Sequence, residues 1–281
     1  MRLRALGSLC LLATLRADDP GAIAGLHSHD GSGDWSVSLG LAPLSFPKYL
    51  GADRNRFVAF PLLDVEYRHR VYLGSSRLGV GLGQGLGVYA VRTPVWRWSF
   101  DLDVTDRRPE NRGDALAGLG DRPRGLFLGS SVMRQWGGLT ATLGVAHGLK
   151  DDAGTLGVLR VEWSGDLGGD GWFWSLGAAA RYGDARNLAY DFGVGPDQAA
   201  ARTALVAAGD PRLTAAEVGP YLPGAGLRDL SASGSLGHRL GERLRVFAFG
   251  NASFLQAQAR RSPLVKGDVN FVAGAGFSYR F

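Results

Sequence analysis

Strict alternation of apolar and polar residues marks the end of the chain. One face of segment 269–281 carries Phe271, Ala273, Ala275, Phe277, Tyr279 and Phe281. The other face carries Asn270, Gly274, Gly276, Ser278 and Arg280. A period of two residues indicates a β-strand, and aromatic residues closing the apolar face are typical of a strand in contact with lipid. A C-terminal strand of a β-sandwich is the alternative, although it would expose Phe281 to water.

The same alternation recurs along the chain in segments of about ten residues, the length that crosses a membrane at the tilt of a barrel. Eleven segments show it: 34–42, 56–67, 71–83, 97–107, 125–136, 139–149, 155–167, 172–184, 227–240, 243–257 and 269–281. Backbone groups inside lipid must all be paired, so such strands must close into a barrel. Bacterial single-chain barrels have even strand numbers. We therefore predict an all-β protein, a closed antiparallel transmembrane β-barrel.

Twelve strands follow if residues 71–90 contain a second strand, and ten are the alternative if one end element lies outside the wall. The links between the segments fall into two classes. The tight links are Gly137–Gly138, Leu167 to Gly171 and Gly241–Glu242, and the long links are 108–124, 185–226 and 258–268. Counting back from a periplasmic C-terminus places every tight link in the periplasm and every long link outside. Short periplasmic turns with long extracellular loops are the expected asymmetry.

The N-terminus has the pattern of an exported protein. Arg2 and Arg4 precede a short apolar stretch of signal-peptide length, which is too short to span a bilayer. We expect a signal peptide at 1–17, a flexible periplasmic lead-in at 18–33 and the barrel at 34–281.

Cysteine and charge narrow the class of protein further. The single cysteine, Cys10, lies in the leader; a lipoprotein anchor is the alternative there, but Leu9 stands where a lipobox needs a small residue. The formal net charge of +5 includes three leader arginines. The mature chain would thus be close to neutral, which gives no case for nucleic-acid binding.

Alternate glycines form one conspicuous motif, Gly79, Gly81, Gly83, Gly85 and Gly87. A dinucleotide-binding loop needs G-x-G-x-x-G between a strand and a helix, and no helical pattern follows. We interpret the glycines as one face of a barrel strand that lets a neighbour approach closely.

Two residue groups resemble sites of chemistry. His27, His29 and Asp30 have a spacing that suits a metal ion, but they lie in the polar lead-in, and we expect no metal there. An outer-membrane hydrolase is a further hypothesis, with a Ser-His-Asp triad drawn from Ser130, Ser131, His147 and Asp151. A triad is recognised by geometry rather than by order in the chain. We therefore expect no enzyme, no cofactor and no catalytic residue.

Charged residues on the polar faces of the predicted strands would point into the lumen. They are Glu66, Asp101, Asp103, Arg160, Glu162, Arg181 and Arg239. We interpret them as a structural network that fills the barrel, because a lumen of ten or twelve strands is narrower than that of aqueous porins. A water-filled pore for small solutes is the alternative.

Several short motifs are recognisable beside the strand pattern. Near the C-terminus they are Ser262 to Lys266, Asn270-Phe271 and Ala273 to Phe281. Upstream they are Pro43, Tyr49 to Asp53, Pro61 to Tyr67, Phe192 to Val194, Pro196, Gln198 to Ala200 and Gly224 to Leu230. On these residues the chain resembles the MltA-interacting protein (MipA/OmpV) family over nearly its whole mature length. Residues 84–170 match only by strand pattern, and Thr203 to Pro220 is longer and richer in Ala than the family pattern.

The resemblance implies a non-enzymatic protein of the Gram-negative outer membrane. It implies a scaffold that links a lytic transglycosylase to a bifunctional penicillin-binding murein synthase in peptidoglycan assembly, and it supplies no binding residues. Outer-membrane lipid and the barrel-assembly machinery, which would engage the strand ending in Phe281, are the other expected partners. The alternatives are a narrow channel, an adhesin acting through the 185–226 loop, and an outer-membrane lipid hydrolase.

Overall fold

A closed barrel of twelve antiparallel strands forms the body of the protein. The computed structural model describes residues 34–75, 84–150 and 152–281. The strands are β1 (Trp35–Pro47), β2 (Asn55–Tyr67), β3 (Val71–Ser75), β4 (Gln84–Arg92), β5 (Trp96–Val104), β6 (Leu126–Trp136), β7 (Leu139–Gly148), β8 (Thr155–Leu167), β9 (Trp172–Gly183), β10 (Gly226–Leu240), β11 (Leu244–Leu255) and β12 (Val269–Arg280). The predicted fold class is confirmed.

Each strand pairs with the next along the chain, and β1 pairs with β12 to close the wall. In this seam Ser38 lies opposite Arg280, and Leu41 lies opposite Phe277. The strand count is twelve because β3 and β4 both begin within residues 71–90, where a second strand was predicted, and the ten-strand alternative is wrong. The predicted first strand, 34–42, was too short. It continues to Pro47 as an unbroken ladder with β2, although its prolines look like strand breakers in the sequence.

The two ends of the barrel differ as the sequence predicted. Tight turns lie on the side of the chain termini, at 68–70, 93–95, 137–138, 168–171 and 241–243. Long links lie at the opposite, outer end, at 105–125, 184–225 and 256–268, together with the shorter 48–54 and 149–154. Gly137 adopts φ +57° in a two-residue hairpin, a conformation that favours glycine. The tight turns therefore mark the periplasmic end.

The outward face of the wall is apolar and carries aromatic residues at both ends. All seven tryptophans lie on the periplasmic halves of their strands: Trp35, Trp96, Trp98, Trp136, Trp163, Trp172 and Trp174. Aromatic residues near the outer ends are Phe57, Tyr182, Phe254 and Phe271. Two aromatic belts on an apolar band are the expected surface of a barrel embedded in a membrane.

The described outer links contain three α-helices: α1 (Ala185–Phe192), α2 (Pro196–Ala207) and α3 (Ala257–Arg260). The carboxylate of Asp184 caps α1 by accepting a hydrogen bond from the Asn187 backbone N–H at 2.7 Å. Pro196 occupies the first turn of α2, where its missing N–H costs nothing. None of the helices in the described part of the chain is long and apolar enough to cross a bilayer.

Candidate functional site

The charged residues predicted to face the lumen alternate with exposed apolar residues and point inward. They lie on β2 (Glu66), β5 (Asp101, Asp103), β8 (Arg160, Glu162), β9 (Arg181) and β10 (Arg239). Asp103 and Arg181 are completely buried. Arg239 lies at the periplasmic mouth, where its guanidinium is 2.9 Å from the carboxylate of Asp166. The lumen therefore holds charge, and most of that charge is shielded from water.

Hydrogen bonds tie the acidic residues of β5 to their neighbours. Asp101 accepts from the Tyr72 hydroxyl and, at 2.9 Å, from the Ser99 hydroxyl. The two inward glycines of β4 make room for this arrangement. A Cβ at Gly85 would collide with the carboxylate of Asp103, and one at Gly87 would collide with the ring of Tyr72.

The interpretation of the glycine motif as a closely approached strand face is thus confirmed for Gly85 and Gly87. Gly79, Gly81 and Gly83 lie outside the described residues. At the periplasmic mouth the buried carboxylate of Glu66 pairs with Arg92 and lies 2.8 Å from His69 Nδ1. This contact joins side chains of β2 and β4, the two neighbours of β3, at the periplasmic mouth.

A second ionic network lies at the outer end of the lumen. Asp229 on β10 accepts from Arg181 Nε and from Arg228 Nε, each at 2.8 Å. Asp191 on α1 accepts from Arg122 Nη1 at 2.9 Å and lies 3.7 Å from Arg228. The network therefore joins the wall of the barrel to the links above it. Paired and hydrogen-bonded arginines satisfy the rule that buried charges need partners.

Apolar side chains fill the other side of the lumen, a feature that the sequence did not predict. One cluster joins inward residues of β1, β2, β9, β11 and β12. Its buried members are Ala42, Leu44, Phe46, Phe60, Leu62, Phe173, Phe247, Phe249 and Val272. The absence of a side chain at Gly274 leaves space for Leu44 and Phe249. A water-filled pore would not keep such a cluster buried, so the lumen is packed like the core of a soluble domain.

The outer links fold together over the mouth of the barrel, and we call this structure the cap (48–54, 105–125, 184–225 and 256–268). One apolar cluster contains residues of all four links: Tyr49, Ala52, Ala115, Leu116, Leu119, Val194, Ala199 and Leu264. A second cluster joins α1 to the wall and to α3, through Leu50, Leu188, Phe192, Leu255 and Ala259. The long links are thus a packed layer of structure.

Arg202 on α2 is the central polar residue of the cap and is completely buried. Its Nη1 donates to the carbonyls of Ala115 (2.8 Å) and Ala117 (3.0 Å), and its Nε and Nη2 donate to the carbonyl of Glu217. Burial lowers the pKa of Arg202. Burial, aided by the charge of Asp53, raises the pKa of the nearby Tyr49 to about 12.

The residues of the hydrolase hypothesis are not brought together. Ser131 points into the lumen beside Ser99 Oγ at 3.0 Å, whereas His147 lies on the outward face. Ser130 accepts from Trp98 Nε1 at 2.8 Å, and His147 Nδ1 lies 2.9 Å from Thr155 Oγ1.

Asp151 lies outside the described residues, as do His27, His29 and Asp30. The part of the chain that the structure describes holds no group of three metal-ligating side chains. The expectation of a protein without catalytic, cofactor or metal residues remains a prediction.

Comparison with known proteins adds a family to this geometry. The model of the family described as MltA-interacting protein MipA matches residues 39–281. The chain belongs to the MipA family. A search of curated proteins gave no match.

Among solved structures, this MipA-family chain is similar to several outer-membrane barrels at low identity. An outer-membrane channel of Pseudomonas putida F1 is 11% identical, with a TM-score of 0.45 and coverage of 91% of this chain and 98% of that chain. Salmonella typhi OmpF is 9% identical, with a TM-score of 0.39 and coverage of 88% and 97%. Pseudomonas putida OprB is 12% identical, with a TM-score of 0.38, and the match spans 81% of this chain and 60% of OprB. The strand pairing, rather than these distant likenesses, carries the description of the barrel.

The motifs that carried the family resemblance meet inside the cap. Ser262 Oγ donates to the carbonyl of Phe192 at 2.6 Å, and the backbone N–H of Lys266 donates to the carbonyl of Gly51 at 2.7 Å. Gly51 in turn donates to Asn270 Oδ1 at 3.0 Å and has φ +85°. Four of these motifs are thus one structural unit, and much of this MipA-family signature is the packing of the cap.

Proposed function

We propose that this MipA-family barrel is a non-conducting, non-enzymatic scaffold that binds a lytic transglycosylase at its periplasmic rim and helps link it to a bifunctional murein synthase. The rim comprises the turns 68–70, 93–95, 137–138, 168–171 and 241–243. The observation that supports the proposal most is the packing of the lumen beneath a folded cap. A barrel packed in this way acts through its surfaces, and in the outer membrane the rim is the surface that faces murein. The family description, MltA-interacting protein, supports the first partner.

The exposed charged side chains of the rim indicate what kind of partner surface it would bind. Arg70 and Arg243 are exposed on two of its turns, and neither forms an ion pair with a carboxylate within the described chain. Arg68 is also exposed and pairs with Asp34 at 3.1 Å. The same turns also carry the exposed Asp170 and Glu242. Arg70 and Arg243 favour contact with acidic groups on a partner surface and accelerate encounter with it.

A pull-down with the detergent-solubilised full-length protein tests the proposal. The host's lytic transglycosylase should be enriched by the wild-type barrel over an unrelated barrel. The variant R70E/R243E should lose most of that enrichment, whereas R107E/R261E, which changes two exposed arginines of the cap, should keep it. Equal recovery by the unrelated barrel would refute the scaffold.

Conductance separates the scaffold from the channel alternative. The folded protein should be silent in a planar bilayer, because its lumen is packed. Steady channels from correctly folded protein would overturn the non-conducting part of the proposal. For the hydrolase alternative, we expect the cellular lipid composition to be the same with and without the protein. Cleavage of lipid or lipopolysaccharide that is lost in His147→Ala would instead support a hydrolase.

The adhesin alternative rests on the 185–226 segment, which is built into the cap through α1 and α2. Removing the segment should therefore destabilise the cap, because the segment is not an independent loop. Loss of host-cell binding in a deletion variant whose barrel is still folded would favour the adhesin.

The C-terminal residue supports a role for the barrel-assembly machinery as a partner. Phe281 is exposed and stacks edge-on against Tyr279 with ring centroids 5.1 Å apart, while its backbone N–H donates to Val37. Deleting Phe281 should slow assembly in cells while leaving refolding into pure lipid nearly unchanged, because the side chain contributes little to the packed lumen. Equal effects in both assays would contradict recognition by the machinery.

A further inference from the structure

One charged residue interrupts the lipid-facing side of β6. Arg134 shares its face with the exposed Leu128, Val132 and Trp136, and it lies opposite Trp96 of β5. It is three residues before the periplasmic turn at Gly137–Gly138. Arg134 therefore lies at the depth of the tryptophan belt, where a charge on the lipid face of a barrel costs far less than at the midplane.

Two indole rings hold the guanidinium of Arg134 in place. Its carbon lies 4.9 Å from the ring centre of Trp96 and 4.7 Å from that of Trp136. Both distances are within the range of a cation–π interaction. Contact with both rings favours this position of the guanidinium, and the Arg134 side chain is exposed on the outward face, where a ligand can reach it.

Among the residues that the structure describes, none supplies a counter-charge to Arg134. Within the described chain, no carboxylate forms an ion pair with Arg134, whereas the periplasmic arginines Arg68 and Arg239 are paired with Asp34 and Asp166. A cation that faces lipid at headgroup depth has phosphate groups as its nearest anions. Guanidinium binds phosphate through two parallel hydrogen bonds.

We propose that Arg134, Trp96 and Trp136 form a binding site for the phosphate of an anionic glycerophospholipid in the periplasmic leaflet of the membrane. The two indoles position the guanidinium and cover its apolar surface, and the acyl chains lie along Leu128 and Val132. The site is independent of the lumen and of any partner at the rim, so it stands apart from the proposed function.

Native mass spectrometry of the full-length protein, released from micelles containing phosphatidylglycerol, tests the site. Arg134→Gln should weaken retention of the most tightly held lipid about fivefold, the effect of one interfacial cation. Lipid retention by Arg134→Lys should lie between that of the wild type and that of Arg134→Gln, because an ammonium keeps the charge but not the paired hydrogen bonds. Arg261→Gln, which removes an exposed cap arginine, should match the wild type.

Several outcomes would overturn the site. Folding of each variant is checked first by heat-dependent mobility in gels, and Trp136→Leu offers a second variant that keeps the charge while removing one ring. Unchanged lipid retention in folded Arg134→Gln would refute the proposal. Equal retention of phosphatidylcholine would show that no anionic headgroup is selected, and displacement by inorganic phosphate would show a site for free anions rather than for lipid.

Discussion

Truncation of Phe249 tests whether the lumen is a packed core. This side chain of β11 is 7% exposed and lies in the apolar cluster of the lumen, with its ring centre 6.3 Å from that of Phe247. Replacing a buried Phe by Ala removes its transfer free energy and leaves a cavity, at a cost of about 3–5 kcal/mol. In a water-filled lumen the same change would cost almost nothing, because the ring would already contact water.

Reversible urea unfolding of protein refolded in lipid vesicles gives the measurement. Phe254→Ala is the matched control, because Phe254 lies on the same strand but faces lipid, and its loss leaves no internal cavity. We expect Phe249→Ala to lower the free energy of unfolding by roughly twice as much as the control. A loss below about 1 kcal/mol, within the range of surface changes, would refute the packed lumen.

Three further changes probe the ionic network and the cap. Arg181→Met should lower the free energy of unfolding by about 3 kcal/mol, because it removes one of the two arginines paired with the buried Asp229. R181M/D229L should recover part of that loss in the same unfolding assay, and strictly additive costs would contradict the pairing. Gly51→Ala should destabilise the cap by more than about 1 kcal/mol, because φ is +85° and the new Cβ would lie 2.6 Å from Val265. Trypsin should then cleave the 256–268 link faster, and unchanged cleavage would count against this prediction. Because burial raises the pKa of Tyr49 from 10.0 to about 12, its contribution to the cap is complete below pH 10 and is lost as pH rises towards 12. Near-ultraviolet circular dichroism should show this alkaline transition in the wild type and a weaker one in Tyr49→Phe.

The wall of the barrel could be predicted from the sequence because lipid outside imposes a period of two on every strand. The outward series Trp98, Phe100 and Leu102 is an example, since it alternates with Ser99 and Asp101. The pattern fails where both faces are apolar. On β11, inward Phe247 and Phe249 follow outward Val246 and Ala248, so periodicity cannot separate lipid from lumen, and the apolar half of the core was missed.

The cap could not be predicted because its structure comes from contacts between distant segments. Helix α1 has eight residues, which is too short to be stable or recognisable alone. It forms because Leu188 and Phe192 pack against the wall and α3. The sequence places Asp229 on the polar face of its strand. The role of Arg228, which contacts Asp229 and lies near Asp191, comes only from the fold. Arg134 lies among lipid-facing residues, so only the rings on either side of it indicate a site.

The seam between β1 and β12 has a consequence for biogenesis. Its two strands are the first and last of the wall, so neither edge is sealed until β12 has been synthesised and delivered. Pairing across such a separation is a slow, late event in folding. Until it occurs, both edges present unpaired backbone groups that attract other chains. The newly made chain therefore has to be kept apart from its copies throughout transit, and closure of this seam is the step at which it becomes safe from aggregation.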